Sequence, residues 1–186
     1  DINQGQAGDC YLVASLGAIA DVDPSLIVSA FIDNGNGTYG VRFYLDGAPV
    51  YVTVNQSVPV KNGQVAVASN AQHSLTGEDW VTLFEKAYVQ LNAQANIDNS
   101  DNWTGEESYQ AVEGGWASPI REIANLGYTY YSAYYQQIPD AFKTAEHTST
   151  NPATYKQTII DALNQGSIGW LGSFGATYDG NGKQNL

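Results

Sequence analysis

The sequence predicts an α+β fold, and three observations carry that prediction. Two stretches place apolar residues at helical spacing: the one that starts at Cys10 and the one from Asp79 to Asn92. Between them, residues 39–68 alternate apolar and polar positions and are broken by the hairpin dipeptides Asp46-Gly47 and Asn62-Gly63. Beyond Gly127 the chain turns to an aromatic run of strand-forming character, Tyr128, Tyr130, Tyr131, Tyr134 and Tyr135.

Taken in order, residues 9–20 form the first helix, with Tyr11, Leu12, Val13, Leu16, Ile19 and Ala20 on its apolar side and Asp9 as its N-cap. Asp21, Asp23 and Pro24 stop it, and Pro24 to Phe31 reads as a short second helix. Asn34-Gly35-Asn36-Gly37 is a turn cluster. Tyr39, Val41, Phe43 and Leu45 then mark a half-buried strand, and Val50, Val52 and Val54 its return partner. Val58–Lys61 and Gln64–Ala68 flank the second hairpin. In the helix from Asp79, the residues Trp80, Leu83, Phe84, Ala87, Tyr88 and Leu91 form one apolar stripe. Gln94 to Gly105 reads as a surface loop, and Ser118-Pro119 as the cap and first turn of a short helix containing Ile120 and Ile123. Asn151-Pro152 opens a helix closed by Gln165-Gly166. A strand is expected from Ile168 to Phe174, and a polar loop from Asp179 to Leu186.

With 186 residues the chain can bury a sizeable core, as one large or two small domains. The net charge of −12, with only seven Lys and Arg, makes nucleic acid an unsuitable partner. No apolar run reaches the roughly 20 residues needed to span a bilayer. The single Cys excludes an internal disulfide, and so argues for neither redox compartment. With no Met and no signal peptide, the sequence is expected to be a piece of a longer precursor. Its acidic, Asn-, Gly-, Thr- and Tyr-rich composition leads us to expect a secreted or cell-surface protein.

The chemistry centres on Gln4-Gly5-Gln6-Ala7-Gly8-Asp9-Cys10-Tyr11-Leu12. A lone cysteine on an amphipathic helix is ordinarily a small buried apolar residue. Here the thiol falls in the first helical turn, where the helix dipole favours the reactive thiolate. Gly5 and Gly8 permit a tight approach turn. If the loop folds back, the Gln4 carboxamide and the Cys10 backbone N–H can both donate to an oxyanion formed at an attacked carbonyl.

This string resembles the active-site motif of the calpain-family cysteine peptidases, in which Gln, Gly, two variable residues, Gly, Asp and Cys precede an aromatic and an aliphatic residue. The resemblance continues through Val52-Thr53-Val54-Asn55, Val58-Pro59-Val60, Asn62-Gly63 and Val65. It extends into Trp80, Leu83, Glu85-Lys86-Ala87-Tyr88 and Leu91-Asn92, and reaches Tyr109, Ala111 and Gly114-Gly115. It covers roughly residues 1–127. It implies a papain-like fold, with a mostly helical nucleophile lobe over residues 1–127 and the start of a β-rich lobe over 128–186. It implies Cys10 as nucleophile, Gln4 as oxyanion donor and a polypeptide substrate. Gly114 and Gly115 would present backbone groups to that substrate, or form a simple turn.

The family's Gly-His-Ala-type and Asn-Pro-Trp-type motifs, which supply its catalytic histidine and asparagine, do not occur. His73 and His147 lie in polar segments and out of the family's order. The triad is therefore expected to be completed downstream of residue 186, and residues 1–186 alone are expected to be nearly inactive. A free thiol is only a few per cent thiolate at pH 7, so the missing imidazolium is worth roughly 30-fold in ionisation. General-acid catalysis would add about 10²–10⁴-fold. The chemistry requires no cofactor. The resemblance does imply calcium binding, with Asp1 nine residues before the cysteine as one metal ligand. Gln110 stands where the family often has Glu, which removes one charge from such a site. Glu106, Glu107 and Glu113 are expected to be surface carboxylates. An alternative reading is a non-catalytic module that keeps the peptidase fold and binds peptide or glycan through its cleft and the Tyr128–Tyr135 surface.

Overall fold

The computed structural model describes residues 2–62, 64–70, 79–94, 107–115, 119–126, 152–169, 177–178 and 184–185. Its helices are α1 (Cys10–Val22), α2 (Pro24–Val28), α3 (Trp80–Gln94), α4 (Pro119–Ala124) and α5 (Pro152–Asn164), with a 3₁₀ turn at Gln110–Val112. Three strands form an antiparallel sheet in the order β2 (Phe31–Asp33), β3 (Thr38–Leu45), β4 (Ala48–Asn55). The mixture of helices and small antiparallel sheets is α+β, as the sequence predicts.

β3 and β4 pair in the register Val41↔Val52 and Phe43↔Val50. Because side chains alternate along a strand, this register sends Val41, Phe43, Val52 and Val54 inward, while Tyr51 and Thr53 face out. The turn between them has Asp46 at φ 49° and Gly47 at φ 79°. Two successive left-handed residues match the twist of a two-residue hairpin. α3 crosses β4 and packs Phe84 edge-on against Phe31, Phe43 and Trp80, at centroid distances of 4.9, 5.8 and 6.4 Å. Tyr88 extends the aromatic cluster to Tyr11 of α1 at 6.3 Å. α1 joins the same core through Leu12, Leu16 and Ile19, and α4 closes it over β3 with Ile123.

Several boundaries differ from the sequence prediction. The second helix ends at Val28, and Phe31 opens the unpredicted β2. Pairing of Phe31 with Val41 carries its ring into the core, and this tertiary contact overrides the local helical pattern. The second hairpin is short, β5 (Val60–Lys61) against β6 (Gln64–Val65), so residues 66–68 are not strand. Two further pairings were unpredicted: β1 (Ile2–Asn3) with β7 (Ser69–Asn70), and β8 (Thr177–Tyr178) with β9 (Gln184–Asn185). Two-residue strands are too short to show a period of two. β9 corrects the expectation of a wholly irregular tail. Helix α5 forms as expected and closes with Gly166 at φ 86°, where Ser167 N–H donates to Ala162 C=O at 3.0 Å. Ile168 and Gly169, the first residues of the expected strand, are irregular. The Tyr128–Tyr135 run, the boundary at residue 127, His73, His147, Glu106 and most of the 94–105 loop lie outside the described residues.

Candidate active site

Residues 4–9 form a loop gripped from two sides. On one side Gln6 N–H donates to Ala66 C=O at 2.9 Å, and Gly5 lies flat against Val67. A Cβ on Gly5 would stand 2.3 Å from the Val67 carbonyl carbon, so only glycine fits this approach. On the other side Gly114 N–H donates to Gly8 C=O at 2.9 Å. Gly115 there packs on the Tyr11 ring, where a Cβ would lie 2.5 Å from Cζ. The Tyr11 hydroxyl in turn donates to Val112 C=O at 3.0 Å. The segment at residues 112–115 is thus a wall of the motif. The Gly114 N–H that the sequence reading offers to substrate is used within it.

Cys10 is the first residue of α1, and its thiol is exposed. The reading of this cysteine as a small buried apolar residue is therefore excluded. Its backbone N–H, at the first helical position, has no intrahelical acceptor. Gln4 is exposed as well, and its Nε2 donates to Ala7 C=O at 2.9 Å. That bond uses one of the two amide hydrogens and fixes the carboxamide against its own loop, leaving the second for a ligand.

Asp9 departs from its expected role. It stands at the N-cap position but makes no side-chain cap hydrogen bond; its carbonyl instead accepts from Leu12 and Val13 at 2.9 and 3.2 Å. Its carboxyl is fully buried beneath the loop, beside the equally buried Glu85 of α3. One Glu85 oxygen accepts a short hydrogen bond from Ala68 N–H. The other, and both Asp9 oxygens, have no further hydrogen-bond donor among the described residues. Burial, reinforced by the Asp9 charge, pushes the Glu85 carboxyl up to about 8. Burial likewise raises Asp9. Tyr109, whose hydroxyl is buried alongside, is raised by burial and by the Glu85 and Asp9 charges.

The sequence reading took Glu85 only as part of a four-residue signature. A physical signal was present: Glu85 has Val81, Thr82, Tyr88 and Val89 at helical neighbour positions, all buried. The other signature residues also have defined tasks. Lys86 Nζ donates to the carbonyls of Asn55 and Ser57 at 3.0 and 2.7 Å and so ties the exit of β4. Ala87 and Tyr88 are core.

Among the described residues, no set of acidic side chains converges on a calcium site. Gln110 is an exposed amide in the 3₁₀ turn, and Asp1 lies outside the described residues. No group of three His, Cys, Asp or Glu side chains converges among the described residues. Glu107 and Glu113 are exposed, as expected, although Glu113 packs its methylenes over Gly8.

Cys10 thus stands exposed at the start of α1, with the Gln4 carboxamide restrained on the loop that precedes it. A family model described as calpain family cysteine protease matches residues 1–160, and the chain belongs to that family. The calpain-2 catalytic subunit of Gallus gallus is 30% identical over 148 residues, 77% of this chain and 19% of that protein. Calpain-8 of Mus musculus is 31% identical over 175 residues, 90% of this chain and 20% of its own length. The calpain-type cysteine protease DEK1 of Zea mays is 30% identical over 117 residues, 62% of this chain and 5% of that protein. The chain thus spans about a fifth or less of these relatives. Among the described residues, no helix is long and apolar enough to cross a membrane.

Proposed function

We propose that this chain is the nucleophile-bearing part of a calpain-like cysteine endopeptidase with a papain-like fold. The observation that carries the reading is the exposed Cys10 at the first position of α1, with Gln4 held on the adjacent loop. The Cys10 thiolate attacks the scissile carbonyl, an S–C bond forms, and the carbonyl electron pair moves onto oxygen. The second Gln4 amide hydrogen and the Cys10 backbone N–H receive that oxyanion. Its collapse expels the amine, which takes a proton from an imidazolium, and water then hydrolyses the acyl-enzyme. The imidazole and its orienting asparagine are supplied from chain beyond residue 186, and the wall at residues 112–115 flanks the substrate on the nucleophile side.

A thiol-directed peptidyl epoxide tests the reading on the full-length protein. Mass spectrometry should find the adduct on Cys10, and Cys10→Ser should abolish both adduct and cleavage. Gln4→Ala should lower kcat about 10²–10³-fold while leaving the adduct site unchanged. Cleavage that survives Cys10→Ser would overturn the proposal.

A further inference from the structure

Beneath the motif loop lie two carboxyl groups that the proposed chemistry does not use. Asp9 and Glu85 are both fully buried, and among the described residues only one of their four oxygens has a hydrogen-bond donor, Ala68 N–H. Two ionised carboxylates in such a place would repel one another at full strength. One proton between them removes a charge and supplies the missing donor. We propose that Asp9 and Glu85 form a proton-sharing carboxyl pair under the start of α1, with Glu85 acting as a positioning residue for the Cys10 thiol.

The geometry gives Glu85 two holds on the motif. Its side chain interacts with that of the residue before Cys10, and through Ala68 it grips the segment on which Gly5 and Gln6 lie. Thr82, one turn earlier on α3, secures the same residue from its other side by donating to Ala68 C=O at 2.7 Å. Among the described residues, the remaining groups around the pair do not neutralise it. Residues 66–68 carry no ionisable side chain. The segment around the 3₁₀ turn contributes the buried Tyr109 phenol and the exposed Glu113 carboxylate, and α1 contributes Cys10 itself. Lys86 is turned away to Asn55 and Ser57. While the proton is held, the pair carries one negative charge. Once it is released to solvent, above neutral pH, a second buried charge opposes the Cys10 thiolate and strains the Ala68 contact.

This inference rests on Cys10 being the reactive thiol but does not require that peptide bonds be cleaved. The test is the pH dependence of iodoacetamide alkylation at Cys10, read on the Cys10 peptide by mass spectrometry. Wild type and Glu85→Gln should react equally at pH 6–7 and diverge above pH 7.5. Wild type should trail there, the variant alkylating several-fold faster at pH 8. Asp9→Asn should react faster than wild type across the whole range, because it removes the charge that persists at low pH. Superimposable profiles for folded wild type and Glu85→Gln would overturn the proposal. Should both variants fail to fold, wild type carries the test: the infrared band of a protonated carboxyl must persist at pH 7, and its absence overturns the pair. Loss of peptidase activity with the divergence intact would count against the endopeptidase reading alone.

Discussion

At the scale of single residues, the site depends on backbones that approach too closely for any side chain. Gly5 lies against the Val67 backbone, which cannot yield without breaking the Gln6–Ala66 hydrogen bond. Gly5→Ala should therefore destabilise the protein by about 2–4 kcal/mol, measured by urea denaturation. Gly35 offers a control. It has left-handed φ (72°) but open space around its missing Cβ, so Gly35→Ala should cost only about 1 kcal/mol. Tyr11→Phe removes a buried hydrogen bond to Val112 and leaves the packing intact. It should cost about 1–2 kcal/mol and loosen residues 112–115, seen as faster amide exchange there.

Among the elements, α3 carries the most consequence. It supplies Phe84 to the aromatic core, Glu85 to the motif, Lys86 to the end of β4 and Tyr88 to the contact with α1. Phe84→Ala should cost about 3–5 kcal/mol, and Lys86→Met about 1 kcal/mol, in the same denaturation assay. Elements like this one are legible in sequence because a helix of four turns repeats its apolar signal. β3 and β4 are legible because eight residues alternate around an Asp-Gly turn. Of the strands of two or three residues, β5 and β6 were legible through the Asn62-Gly63 turn, whereas β1, β2, β7, β8 and β9 were not, since pairing with another segment decides them. The same distinction runs through the site. Cys10 and Gln4 stand in one local string that can be read directly. The Asp9–Glu85 pair and the Ala66–Ala68 support are created by tertiary contact, and the cap pattern at Asp9 pointed to a local role that burial overrode.

For the molecule as a whole, the buried pair leaves a signature in stability. The fold holds a proton on Glu85 that the unfolded chain releases near pH 4.5, its ordinary value. This contribution is complete below about pH 4.5 and is lost as pH rises through about 8. Stability should therefore fall across that window, by at most about 1.4 kcal/mol per pH unit. Repulsion within a chain of net charge −12 acts in the same direction, so the test is the difference between wild type and Glu85→Gln in urea midpoints from pH 5 to 8.5. The variant should show the flatter profile. The two-sided grip on residues 4–9 has a consequence in time as well. Tyr11 and its partner Val112 are 101 residues apart in sequence, and the Ala66–Ala68 support lies between them. During synthesis Cys10 leaves the ribosome long before the segments that shape its loop. A nascent chain thus carries a cysteine whose loop is not yet held, and the order of translation itself delays the shaping of that loop until most of this region has been made.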